Sequence, residues 1–581
     1  MGKENRFSGN KRKRKLWLLR KTLQTEQSTF IPHWRDLGDY ILPRRIRFNV
    51  TDSNKGDRRN LKIIDSTGSM ASRTLRSGMM AGVTSPARPW FELGTDDNSL
   101  MESGPVKVWL DIVTRTLRTL FLKSNLYGEL PTLYGDIGTF ATGAMLMEED
   151  FDKTFRFYTF PIGSYKIFLD DKLRPAGFFR EFRLTVEQVV QKFGKVGEDG
   201  KIDFSNISDQ VKNLYENGDD QQWIEINHFI LMNDNYNPNK IESKYKLFAS
   251  LYFESGRVGQ SDSYHLTELD EGKFLSEKGY DYFPILAPRW ETSGEDVYGT
   301  ECPGMIALGD IKALQTMQKR KAQAIEKMVN PPTQAPTSMK QSRPTLLPGD
   351  VNYLDVREGQ QGMRPVHEVD PRIKEILLDI QDHQQRIKRA FFEDLFLMIS
   401  QTDRREITAR EIEERHEEKL LALGPVLEQL NQDLLDPLIE NAFRIAYEQG
   451  KFPEPPEELQ GVDLKVEYVS IMAQAQKLAG IANVERFASF VINTSAQSGN
   501  IEMLDKVDFD QMIDNYGERT GIDQEIIRTD EDVALIRDRR AKAQQQAAIL
   551  ENMNQAADTA QKLSKADLEG NNALKRVTQG A

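Results

Sequence analysis

Apolar residues recur at steps of three and four between residues 106 and 126, where Val106, Trp109, Leu110, Val113, Leu117, Leu120 and Phe121 form one stripe and predict a core helix. Earlier in the chain the same periodicity predicts a helix over 17–42 and another over 65–81, with Met70, Leu75 and Met79 near one face and Gly82 at its stop. From about Ala144 to Leu184 the pattern becomes strand-like. Phe155, Phe157, Tyr158, Phe160, Tyr165, Ile167 and Phe168 are punctuated there by Pro161 and Gly163. Further strands are expected over 223–231, 245–253 and 282–286, so an α+β body ends near Arg289.

Beyond that point the chain turns mostly helical. Pro303 opens a long helix through Leu308, Ile311, Leu314, Met317, Ile325 and Met328, which stops at Asn330-Pro331-Pro332. Residues 331–369 are rich in proline and glycine, with short strand-like pieces at 351–356 and 363–367, and read as a small separate module. Asp370 then caps a helix striped by Ile373, Ile376, Leu377, Ile380, Ile387, Phe391, Leu395 and Met398. A polar break follows at 400–406. Thr408 and Glu411 form a capping box for the next helix, which Gly424-Pro425 interrupts and Gly450 ends. A strand is expected from about Asp463. The Ala/Gln-rich tail carries only the weak stripe Ile549, Leu550, Met553, Ala557, Ala560 and Leu563, so it predicts a helix that needs partners.

Composition adds limits. The chain has 581 residues, 39% hydrophobic and 29% charged, enough for several packing units of a folded protein. One cysteine, Cys302, excludes a disulfide framework, and no apolar run approaches the roughly 20 residues of a membrane span or the pattern of a signal peptide. A net charge of −12 suits a surface that does not grip phosphate. Against that average, residues 1–15 hold Lys3, Arg6, Lys11, Arg12, Lys13, Arg14 and Lys15 and read as a mobile basic arm.

The search for reaction chemistry is unproductive. The Gly-Lys pairs at Gly2, Gly194, Gly200, Gly272 and Gly450 lack the Ser/Thr and upstream glycine of a P-loop, no serine sits in a nucleophile elbow, and the six histidines form no zinc-protease motif. Asp96-Asp97 and Asp170-Asp171 lie among turn residues, where carboxylates are expected anyway. No enzyme, cofactor or metal site is therefore expected. If the two long helices surround DNA, their dispersed Lys and Arg, namely Lys312, Lys319, Arg320, Lys321, Lys327, Arg386, Lys388 and Arg389, are candidates for weak, salt-screened phosphate contacts.

The run Arg73-Thr74-Leu75-Arg76-Ser77-Gly78-Met79-Met80-Ala81-Gly82-Val83-Thr84-Ser85-Pro86-Ala87-Arg88-Pro89-Trp90-Phe91 closely resembles the portal, or head-to-tail connecting, proteins of T7-like podophages. Pro161-Ile162-Gly163-Ser164-Tyr165 with Arg180-Glu181-Phe182, Tyr298-Gly299-Thr300-Glu301-Cys302-Pro303-Gly304-Met305 with Asp310-Ile311-Lys312, and Val466-Glu467-Tyr468-Val469-Ser470 are similar to that family in the same order. The similarity is expected over 17–516, leaving the arm and the tail outside.

The resemblance implies an α+β, mostly helical portal fold. Its parts would be a basic arm at 1–15, a wing at 16–302, stem helices at 303–329 and 370–399 around a clip at 330–369, and a tunnel loop at 400–407. A wing helix and return at 408–462, a crown at 463–529 and a candidate barrel helix at 530–581 would complete it. Gln401, Thr402, Asp403, Arg404 and Arg405 would then face the channel. Such a chain would form a dodecamer in the virion, assembled in the host cytoplasm. It would pass double-stranded DNA inward and outward, nucleate assembly with the major capsid and scaffolding proteins, and meet first the terminase large subunit and then a tail adaptor, with no membrane partner. The rival readings are another structural virion protein, such as a tail adaptor or internal core protein, and a nuclease or packaging component acting on DNA.

Overall fold

In the computed structural model the described residues are 2–52, 56–97, 100, 103–196, 202–255, 274–331, 333–334, 364–365, 373–401, 423–459, 461, 464–469, 481–498, 506–513 and 530–564. They divide into a large unit, Met1–Gln476, and a smaller one, Lys477–Ala581.

The large unit opens with α1 (Gly2–Ser28) and α2 (Ile31–Tyr40). The expected single helix over 17–42 is thus two, because the chain turns at Thr29-Phe30 before Pro32 starts the next first turn. The basic arm is corrected as well. Instead of a mobile tail, residues 2–28 form one helix, one side of which docks on a sheet: Leu16 and Leu23 are buried against Phe179, Phe229, Leu251 and Phe253.

That sheet has the order β10-β9-β8-β5-β4, built from β4 (Tyr165–Leu169), β5 (Pro175–Thr185), β8 (Trp223–Met232), β9 (Phe248–Glu254) and β10 (Ser276–Tyr280), all antiparallel. Strand alternation sends Phe179 and Phe229 under α1 and Phe178 and Ile230 into the main core. Two short helices unread in the sequence, α6 (Val186–Phe193) and α7 (Asp209–Glu216), cover part of the sheet, with the strand pair β6 (Lys195–Val196) and β7 (Ile202–Asp203) between them in the chain. The first is set by a reciprocal capping box between Thr185 and Gln188.

The main core gathers α3 (Thr67–Gly82), α4 (Gly104–Lys123) and α5 (Leu126–Phe140) with a three-stranded sheet of β2 (Met145–Asp150), β3 (Thr154–Thr159) and β11 (Ile285–Leu286). Every stripe residue named for α4 is buried; of those for α3, Leu75 and Met79 are buried while Met70 faces outward, since 70 is off the 75/79 line. The body does not end near Arg289. The helix α8 (Pro303–Val329), the segment 423–448 and a strand pair formed by β1 (Phe91–Thr95) and β14 (Leu464–Tyr468) all belong to the same core.

The second long helix, expected as continuous over 370–399, is α9 (Ile373–Ala390) and α10 (Glu393–Gln401), broken where Phe392 takes a left-handed φ of 54°. Between α8 and α9, β12 (Thr333–Gln334) pairs with β13 (Arg364–Pro365), the latter inside the expected 363–367 piece; the 351–356 piece and the Thr408/Glu411 capping box lie outside the described residues. The helix through 423–448 widens into a π turn at Asn431–Leu435 and ends before Gly450, at φ 65°.

In the smaller unit, Ile481–Ser498 and Asp530–Ser564 are helices, the latter with Ile549, Leu550 and Met553 exposed. No helix among the described residues is long and apolar enough to cross a membrane.

Candidate functional site

The sequence motifs meet in space. Strand β1, which begins at the last residue of the Arg73–Phe91 run, pairs with β14, placing Phe91 opposite Tyr468 and Leu93 opposite Val466. Just before the run Ser72 hydrogen bonds Thr139 at 3.1 Å, and within it Thr84 hydrogen bonds Tyr134 at 2.9 Å and Trp90 Nε1 donates to Tyr127 at 3.1 Å, all tying this stretch to α5. Gly78 lets the ring of Phe396 from α10 lie where a Cβ would be 2.2 Å away.

The Tyr298–Met305 run is explained by the same closeness. A Cβ at Gly299 would sit 2.1 Å from the Ala141 carbonyl oxygen, and one at Gly304 would sit 2.6 Å from that of Thr139. Tyr298 Oη meanwhile accepts from the Ile167 amide of β4 at 3.4 Å. The motifs therefore seat the start of α8 against the end of α5; their residues are the joints of a scaffold.

From that seat α8 and α9 pack together. His383 Nδ1 lies 2.8 Å from Asp310, and Arg386 lies 3.7 Å from the same carboxylate. Asp65, just before α3, joins both helices: its carboxylate accepts from Gln318 at 2.8 Å, Gln384 at 2.9 Å and the Thr67 amide at 2.8 Å, while Gln315 accepts from the Ile64 and Asp65 amides, each at 2.7 Å. Burial pushes the Asp65 carboxyl up, but these donors outweigh it and hold it below the usual carboxylate range. Its contribution to stability is thus complete above the unfolded-state value and is lost as pH falls through the lower folded value. Asp65→Asn is expected to lower stability by about 1.5 kcal/mol near neutral pH. In paired thermal melts the gap should close as pH falls through 4 and below.

The basic candidates separate into two groups. Lys312 is held by Asp36 at 2.6 Å, Arg386 by Asp382, and Lys388 by Glu393 at 3.4 Å. Lys319, Arg320, Lys327 and Arg389 are exposed and Lys321 is half-buried, with no carboxylate paired to them among the described residues. Of the channel-loop candidates, Gln401 ends α10, whereas Thr402, Asp403, Arg404 and Arg405 lie outside the described residues.

Groups with reaction potential are occupied structurally. His228 accepts from Arg180 at 3.2 Å, contacts Ser250 at 3.0 Å and stacks on Tyr252; burial holds its imidazole well below its ordinary range, so it is neutral. Burial pushes the Cys302 thiol up to about 12. Asp170 caps its own turn through the Lys172 and Arg174 amides, each at 2.8 Å. No group of three or more metal-ligating side chains occurs among the described residues.

Comparison with known proteins matches residues 13–527 to the family described as bacteriophage head to tail connecting protein. The chain belongs to this family. Among curated relatives it is 47% identical over 559 residues to the portal protein of Salmonella phage epsilon15, covering 96% of both chains. It is 42% identical over 558 residues to the probable portal protein of Bordetella phage BPP-1, again covering 96% of both. The similarity is thus wider than the expected 17–516 and reaches into the tail. Residues missed in the sequence as parts of the connector scaffold are Asp65, Gln315, Gln318 and Gln384. Polar residues on exposed-looking helix positions gave no signal; only the neighbouring Asp65-Ser66-Thr67 cap pattern marked the spot.

Proposed function

We propose that this connector-family chain is a subunit of a portal ring in the virion, a structural component through which double-stranded DNA enters and leaves the capsid. The observation that carries the reading is the near full-length identity to portal proteins of two phages. The paired helices Pro303–Val329 and Ile373–Ala390, on either side of a two-stranded ribbon, agree with a stem and clip. In this reading twelve copies form the ring in the host cytoplasm. The clip meets the terminase large subunit and later the tail adaptor, and the wing meets the major capsid and scaffolding proteins.

Lys319, Arg320, Lys321, Lys327 and Arg389 then supply weak, salt-screened contacts along the stem, where Lys312, Arg386 and Lys388 already hold carboxylates. Gln401 to Arg405 form the tunnel loop, with Arg404 and Arg405 against phosphates. Electron-microscopic class averages of the purified chain should show twelve-fold rings with a central hole; a closed particle without a channel would sink the proposal. Replacing Arg404 and Arg405 by Ala together should lower packaging or genome retention in assembled particles, and unchanged values would remove that role.

A further inference from the structure

On the face of the five-stranded sheet turned away from α1, two apolar clusters are separated by a polar seam. Phe178 and Ile230 lead into the main core and Ile226 and Tyr252 pack under α6; between them Arg180 stands opposite His228, and His228 opposite Tyr252, across three strands. Directly paired residues share a face. By the same register Lys278 of β10 stands opposite Ser250, whose hydroxyl contacts His228 at 3.0 Å, so Lys278 rises from this face as well. Lys192, in the last turn of α6, reaches over from above, its Nζ 5.2 Å from the centre of the Tyr252 ring. Three cations from three elements thus meet on one seam.

Arg180 is held in place without being neutralised. Its Nε donates to His228 Nδ1 at 3.2 Å and its guanidinium lies 4.8 and 4.5 Å from the ring centres of Phe160 and Phe182, but the imidazole is uncharged. Arg20, Arg45 and Arg289, also withdrawn from water, each meet a carboxylate; among the described residues Arg180, Lys192 and Lys278 pair with none. Burial first, and then the Arg180 cation, push the Lys192 ammonium below the ordinary lysine range; Glu148 of β2 opposes this and Lys278 adds to it. That acid already accepts from the Tyr280 hydroxyl at 3.3 Å. The seam keeps an excess of positive charge.

We infer that the seam formed by Arg180, Lys192 and Lys278 is a binding site for a small, free phosphate anion. Donors arriving from β5, α6 and β10 suit a tetrahedral group that offers an oxygen to each, whereas a carboxylate has two oxygens in one plane. A partly buried guanidinium is also reached more readily by an ion of a few atoms than by a stiff duplex. His228, neutral and bonded to Ser250, keeps the Arg180 fork aimed before any ligand arrives. A bound anion would tie α6 to β5 and β10. The inference is independent of ring assembly and of the channel.

The test is equilibrium dialysis of the full-length chain against radiolabelled inorganic phosphate at fixed chloride. Lys192 and Lys278 are both exposed, so the double variant Lys192→Gln, Lys278→Gln leaves the core intact, which matching circular dichroism checks. It should bind phosphate about tenfold more weakly, the loss expected when charged hydrogen bonds are removed. Restoring one charge, as Lys192→Arg with Lys278 kept, should return most of the affinity. Lys107→Gln, an exposed cation on α4, should match the parent. Equal affinity in the parent and the double variant, or no phosphate retained by the parent, would overturn the site. Displacement of the label by acetate as readily as by unlabelled phosphate would overturn it in favour of a carboxylate ligand.

Discussion

Replacing Arg289 by Met is expected to destabilise the large unit by about 3–5 kcal/mol, because it strands a buried carboxylate. Arg289 and Asp433 are 6% and 7% exposed, and the guanidinium reaches Asp433 at 3.0 and 3.3 Å and the carbonyls of Leu173 and Asp296, each at 3.3 Å. One side chain thereby fastens the segment before α8, the β4–β5 turn and the π turn at Asn431–Leu435. The π turn offers Asp433 inward, where Gln429 also donates to it at 2.8 Å. The urea midpoint of the full-length chain reads the effect. The double variant Arg289→Met, Asp433→Leu should recover much of the loss, since an apolar pair carries no unpaired charge; a double variant as unstable as the single would show that the backbone carbonyls, not the ion pair, dominate.

Two glycines of the same helix should respond with opposite signs. Gly304→Ala pushes a methyl group into the Thr139 backbone, with a carbonyl oxygen at 2.6 Å and Cα at 2.8 Å, neither of which rotates away. Overpacking of that kind costs roughly 1–3 kcal/mol. Gly309, five residues along α8, has nothing within 4 Å of its would-be Cβ, so Gly309→Ala should stabilise by about 0.5–1 kcal/mol through helix propensity alone. Thermal melts of the two variants beside the parent would show the split, and a common sign would refute the close-approach account of the Tyr298–Met305 run.

What the sequence disclosed depended on local signals. Pro303 and the Asn330-Pro331 stop bracket α8 as read, and the α4 stripe is buried throughout, because period and punctuation agree in both. Helix α5 went unread because Pro131 lies inside it and its residues are buried on nearly every side, which removes the amphipathic period. The first fifteen residues read as a tail because charge outweighed a docking stripe that only the sheet makes visible: Lys13 is buried through aromatic faces supplied by Phe253 and Phe274, 240 and 261 residues along the chain. The break at Phe391-Phe392 was invisible for a similar reason, since a left-handed phenylalanine is imposed by tertiary packing and has no turn residue to announce it. The family motifs were legible as a pattern long before their purpose was, and that purpose lies in contacts between distant segments.

The pairing of β1 with β14 sets a clock on the newborn chain. Phe91 cannot meet Tyr468 until the ribosome has added the 377 residues that run from position 92 to 468, which at about 5–20 residues per second takes roughly 20–75 s. During that interval Trp90 and Phe91, both buried in the finished core, have no strand to cover them. A subunit made in this order keeps that edge of its core open until about four-fifths of the chain has been made.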